Sequence, residues 1–200
     1  MRKIVIASNN AGKIKEIQNI LGNNKFEFLS LKDVEFYQEI LEDQDSFEGN
    51  AYKKAKSVAR VINEIILADD SGLEVDILNG QPGVFSARFS GENATDEKNN
   101  EKLLKMMEGV PEEKRGAQFR CVLVLMLPNG KSFKVEGICR GRIADRPYGN
   151  EGFGYDPIFI PEGYNITFGQ MGKDEKNRIS HRFLALKKLK EIMVMEGLLD

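Results

Sequence analysis

The 200-residue sequence is poor in the residues that staple or metallate small folds, with one histidine and two cysteines, Cys121 and Cys139. A single imidazole excludes a His-rich metal centre, and two thiols so far apart make neither a disulfide framework nor a zinc site. Any metal must then sit on oxygen ligands, which favours Mg²⁺ or Mn²⁺. Long apolar runs are missing too. The opening MRKIVIASNN carries only IVIA, too short for a signal-peptide core or a membrane span, so no membrane association is expected and the expected compartment is the cytoplasm. Charge of one sign is also absent: 29 Lys and Arg stand against 31 Asp and Glu without a long block of either, which leaves no electrostatic footprint for nucleic acid. The expected partner is a small molecule. There is no repeat, low-complexity tract or long linker, so residues 1–200 read as a single domain, with two lobes as its variant.

What is present is an alternation of strands and helices. Lys3 to Ala7 reads as a short buried strand, and Ile14, Ile17 and Leu21 follow at helical spacing. Between 45 and 62, Phe47, Ala51, Ala55, Val58, Ala59 and Ile62 keep a period near 3.6, with Asp45 and Glu48 spaced like a capping box. The runs Ile65–Ala68 and Leu73–Leu78 suggest two strands around a turn at Asp69-Asp70-Ser71-Gly72, and a third helix is expected from Thr95 to Glu108. Ala117 to Ile143 reads as an antiparallel ribbon with a two-residue turn at Asn129-Gly130. A last helix is expected after Ser180, with Phe183, Leu186, Leu189 and Met193 on its buried face. The fold class is α/β with a mixed sheet.

Several stretches carry chemistry. The loop Ser8-Asn9-Asn10-Ala11-Gly12-Lys13 lies between a strand and a helix, where backbone N–H groups and the helix dipole favour an anion such as phosphate. Ala7 and Ile14 replace the first glycine and the Ser/Thr of a P-loop, so it is not one. On the second helix Asn50 and Lys54 fall along one border of the apolar stripe, while Lys53 and Lys56 point further out. Carboxylates at the end of a buried strand suit metal binding or proton transfer, but Asp69 and Asp70, being adjacent, should point to opposite faces. The acidic run Glu39, Glu42, Asp43, Asp45 offers a second ligand without selecting one.

In GFGYDP, an extended backbone would put Phe153 and Tyr155 on one side, glycines such as Gly154 would let a flat ring approach, and Pro157 would hold Asp156 in the β region. His181 and Arg182 stand at the start of a helix, a poor place for cations on dipole grounds. Their donors, with Lys176 nearby, suit an oxygen-rich ligand.

Taken together, SNNAGK, FEGNAYKKA, ADDSGLEVDILNGQPGVFSARFSG, GFGYDPIF and ISHR resemble the inosine triphosphate pyrophosphatase family, also called XTP/dITP diphosphatases, in order and over almost the whole chain. The resemblance implies a two-lobed α/β fold around a long mixed sheet with a central substrate cleft, and a homodimer. It implies Mg²⁺-dependent cleavage of ITP, dITP and XTP to the nucleoside monophosphate and pyrophosphate. Residues Ser8 to Lys13 would hold phosphates, Glu42 and Asp70 the metal, and Asp70 would accept the proton. Ser71, Phe153, Gly154, Tyr155, Asp156, Lys176, His181 and Arg182 would meet the substrate. Two departures stand out: Gln44 where family members often have glycine, and Asn9 in place of the glycine of the Thr/Ser-Gly-Asn opening. A nucleotide-binding module without turnover would need the loop and the aromatics but not the metal carboxylates.

Overall fold

The structure, a computed structural model, describes residues 1–22 and 25–199. Strand β1 (Arg2–Ile6) leads through the polar loop into α1 (Ala11–Leu21), which is followed by β2 (Phe26–Ser30), α2 (Phe47–Ala59) and β3 (Ile65–Val75). Helix α3 (Asp96–Met106), the ribbon β4 (Gly116–Met126) and β5 (Ser132–Ile143), the short β6 (Phe159–Pro161), and helices α4 (Lys173–Ile179) and α5 (His181–Met195) complete the order. The six strands run β2-β1-β3-β4-β5-β6. β1 is parallel to β2 and to β3, and β5 is antiparallel to β6, so the sheet is mixed.

The chain divides into two compact units. The first holds Met1–Asp70, Cys121–Gly137 and Arg182–Asp200, and the second Ser71–Arg120 and Ile138–His181. Each has its own apolar core. In the first, Ile4, Ile6, Ile65 and Leu67 pack with Ile17 and Leu21 of α1 and with Leu186, Leu189 and Met193 of α5. In the second, Leu73 and Val75 pack with Leu103 and Met107 of α3, and with Phe119, Phe159 and Phe168, whose rings meet at 4.6–6.1 Å. Arg115 ties the second core to its loops by donating to the carbonyls of Met107, Val110, Ile143 and Ala144.

Four local expectations change. Asp69-Asp70-Ser71-Gly72 is not a turn: β3 runs straight through it, and the chain bends only at the 3₁₀ turn Asp76–Leu78. The pairing with β1 ends at Leu67, and β3 continues beyond it on the side of its other sheet neighbour, β4. Ser46, not Asp45, caps α2, its hydroxyl accepting from Gly49 N–H. The ribbon loop holds three residues: Leu127 N–H donates to Lys131 C=O, Gly130 N–H to Leu127 C=O, and Gly130 takes φ 84°. The segment after Phe153 is not extended, since Asp156 opens the 3₁₀ turn Asp156–Ile158. Lys176 lies on α4, a short helix that periodicity did not suggest.

Cys121 and Cys139 are both reduced and buried, one in each core. Burial pushes each thiol up to about 12, so neither forms thiolate at ordinary pH. A chromogenic disulfide reagent at pH 8 should react with neither in the native protein and with two thiols per chain after denaturation. Rapid native reaction, or fewer than two on unfolding, would contradict this packing.

Candidate active site

The answer to two adjacent acids in a buried strand lies in the strand's alternation. Asp69 shares the face of Ile65 and Leu67, and Asp70 that of Ile66 and Ala68; all four apolar residues are buried. Helices α1 and α5 serve the Asp69 face. Lys13 Nζ stands 3.0 Å from Asp69 Oδ2, and the Arg182 guanidinium bridges Asp69 (3.3 Å) and Glu16. Glu16 sits one turn beyond Lys13 on α1, which is the one sequence signal that could have found it. Arg182 thus gains at its helix start the anions that the dipole withholds.

Helix α2 serves the other face. Asn50 Nδ2 donates to Asp70 Oδ2 (3.0 Å), while Lys54 Nζ lies 2.7 Å from Glu42 Oε1 and 3.4 Å from Asp70 Oδ1. The helical border residues of the apolar stripe are the buried ones, whereas Lys53 pairs at the surface with Asp43. Of the acidic run, Glu42 therefore reaches Asp70's group and Asp43 does not. Gln44 needs no glycine in its place: its N–H donates to Asn50 Oδ1, and neither it nor Asn9 has positive φ.

These surroundings set opposite electrostatics. Burial alone would raise Asp69, but Lys13, Arg182 and Lys54 outweigh it and hold the carboxyl far below the usual range. For Asp70, burial raises the pKa, Lys54 pulls against it, and Glu42 adds to the rise. Lys54 is pulled down by burial, yet Asp69, Asp70 and Glu42 together raise it. The Lys54 ammonium lies between the Glu42 and Asp70 carboxylates. The two carboxylates could hold a divalent cation such as Mg²⁺ on oxygen ligands. Among the described residues there is no cluster of three or more His, Cys, Asp or Glu that could hold an ion by itself.

At the loop, Asn10 caps α1 by accepting from Lys13 N–H, and Ser8 Oγ accepts from Asn10 N–H. The N–H groups of Ala11 and Gly12 remain as those a helix start ordinarily offers an anion.

The second unit holds the remaining candidates. Asp156 Oδ2 accepts from Phe153 N–H (2.8 Å) and from Lys176 Nζ (2.6 Å), and that ammonium lies 4.9 Å from the Phe153 ring centroid. Tyr155 is a core residue whose hydroxyl donates to Ser86 C=O. A Cβ on Gly152 would stand 1.9 Å from Asp156 Oδ2, so only glycine leaves the carboxylate in place. His181 stacks on Phe119 at 4.7 Å with 12° between planes, and Ser71 continues β3 beyond Asp70.

Asp69 and Asp70 should separate in stability measurements made without divalent cations. The stabilisation from Asp69, whose carboxyl is lowered on folding, is fully present above the unfolded value of about 4 and is lost only as pH falls through the depressed value. Ionised Asp70, raised on folding, costs stability at neutral pH, and the cost disappears as pH falls below the unfolded value. Asp69→Asn should therefore lose about 3–5 kcal/mol at pH 7, and Asp70→Asn no more than about 1 kcal/mol. Thermal melts of both variants between pH 4 and 8 are the check, and equal losses at pH 7 would overturn the partner assignments.

Residues 4–192 match the model of the Ham1 family. The chain is 45% identical over 193 residues to a dITP/XTP pyrophosphatase of Bacillus subtilis, covering 96% of this chain and 98% of that one. It is 46% identical over 198 residues to a dITP/XTP pyrophosphatase of Geobacter sulfurreducens, covering 99% and 100%. Among solved structures, the Staphylococcus aureus Ham1 protein superposes with a TM-score of 0.88 at 40% identity, covering 98% of this chain and 100% of that one. No helix among the described residues is long and apolar enough to cross a membrane. With a family model spanning nearly its whole length and relatives this close at full coverage, the chain belongs to the Ham1 family.

Proposed function

We propose that the protein hydrolyses deaminated purine nucleoside triphosphates (ITP, dITP and XTP) to the nucleoside monophosphate and pyrophosphate. The observation that carries this reading is the division of labour at β3: Asp69 is consumed by two cations, while Asp70 is left with a raised pKa beside Glu42 and Lys54. Support for the substrate class comes from the names of the relatives, dITP/XTP pyrophosphatases.

The triphosphate would lie on the α1 start, against Lys13 and the N–H groups of Ala11 and Gly12. Glu42 and Asp70 would hold Mg²⁺, with Mn²⁺ as the alternative, and the ion would supply charge neutralisation at the phosphate oxygens. Asp70 would take the proton of the water that attacks phosphorus as the anhydride P–O bond to the leaving group breaks. Lys13, held by Asp69, stabilises the charge that grows on the phosphate oxygens. Asn50 fixes the rotamer of Asp70 through its hydrogen bond.

The base would be read in the second unit, by the Phe153 ring, Asp156, Lys176 and His181. Hypoxanthine and xanthine carry an oxygen at position 6, where adenine carries an amino group that leaves protein donors unpaired. Arg182, expected as one of those donors, has its terminal nitrogens on Glu16 and Asp69, which shifts the weight of selectivity to His181. The covalent steps Asp70-Ser71 and His181-Arg182 join the two residue sets in the chain. We further propose a homodimer as the working assembly and the cytoplasm as its compartment.

Turnover of ITP, dITP, XTP, ATP and GTP with Mg²⁺ should yield pyrophosphate rather than orthophosphate. A site built to hydrogen-bond the 6-oxygen can prefer ITP over ATP by about 10⁴ in kcat/KM. Chelation with EDTA should abolish the activity and added Mg²⁺ restore it. Asp70→Asn should reduce kcat by about 10²–10⁴-fold. Comparable rates for ITP and ATP, or activity of Asp70→Asn within tenfold of the unmutated protein, would refute the corresponding assignment.

A further inference from the structure

Helix α3 reaches the base-reading loop in a way that neither the motifs nor the mechanism uses. Asp96 Oδ2 accepts from Gly154 N–H at 2.6 Å, and Asn100 Nδ2 donates to Gly154 C=O at 3.0 Å. The two side chains are one turn apart on the same helix face, so a single helix grips both polar groups of one residue. Gly154 has φ 65° and open space within 4 Å of where a Cβ would stand, so no side chain of its own restrains it, and glycine backbone is the most easily displaced of all.

The flanking contacts leave this residue as the weak link. On its far side the loop is closed by Asp156, which accepts from Phe153 N–H and Lys176 Nζ, and Tyr155 is anchored to Ser86. With these contacts fixed, the peptides on either side of Gly154 help set how the Phe153 ring is carried. A carbonyl can only accept, so the Asn100 amide must present its NH₂ group. Its Oδ1 is then buried without a hydrogen-bond partner among the described residues. Asn100 thus gives up one hydrogen bond in order to make the other.

We propose that Asp96 and Asn100 are positioning residues for base selectivity, holding the Gly154 peptides so that the Phe153 ring and the Asp156 carboxylate stay in register for a purine. The inference rests on the nucleotide reading above and deepens it. Asp96→Ala and Asn100→Asp remove the acceptor and the donor respectively. Asp96→Asn keeps an oxygen that can face Gly154 N–H and so serves as the conservative rescue. Glu101→Gln, on an exposed position of the same helix, is the control.

Two measurements decide it. Hydrogen exchange of the peptide spanning 152–157 should quicken in Asp96→Ala and return towards the unmutated rate in Asp96→Asn. In kinetics, the loss of one such hydrogen bond should raise KM for ITP by about three- to tenfold and lower the ITP:ATP ratio of kcat/KM by a similar factor. A merely structural defect would lower the active fraction, reducing kcat for every nucleotide alike with KM and the ratio unchanged; that result, or unaltered exchange in Asp96→Ala, overturns the proposal. If the unmutated protein failed to hydrolyse ITP, the proposed function would fall first, and the exchange arm would still decide whether the clamp exists.

Discussion

An ionised carboxylate inside a sheet buried on both faces is tolerable only beside compensating charge. Strand β3 carries two in succession, and because their side chains leave on opposite faces, each face must bring its own cations. One face does so with Lys13 from α1 and Arg182 from α5, and the other with Lys54 from α2. The placement of three helices is thereby coupled to two residues. Arg182 also takes on Glu16, which lets a helix start with a guanidinium that its dipole would otherwise disfavour.

The two faces are compensated unequally, and the inequality is what chemistry can use. Two cations converge on Asp69, which stays ionised and holds Lys13 of the α1 start. Asp70 shares the Lys54 ammonium with Glu42, and burial together with the Glu42 charge moves its carboxyl upward. In the second unit, the pairing of Asp156 with Lys176 solves the same problem of buried charge and, in doing so, shapes a loop that presents an aromatic ring.

Much of this was legible from local pattern. The 3.6-residue period of α2 marked Asn50 and Lys54 as border residues, and the strand's period of two implied that Asp69 and Asp70 have different roles. The α3 helix, the ribbon and the last helix follow the expected runs closely. Where local reading failed, longer-range pairing had won. Asp-Asp-Ser-Gly has turn chemistry but lies within β3, which continues to Val75. Asn-Gly signalled the ribbon's end correctly, yet the hairpin closes on three residues with Gly130 in the left-handed region. The glycines of GFGYDP allow a compact turn as readily as an extended segment, and Asp156, bonded to Phe153 N–H and Lys176, selects the turn.

By itself the sequence determined the alternating α/β order, the apolar faces of the helices, and the residue types available for phosphate, metal and base. Those properties depend on spacing along the chain, and spacing is written in it. Only tertiary structure decided that Lys13 and Arg182 share Asp69, that Glu42 rather than Asp43 reaches Asp70's group, and that α3 grips Gly154. Each of those pairings joins residues far apart in sequence, and no local period encodes which distant cation will neutralise which acid.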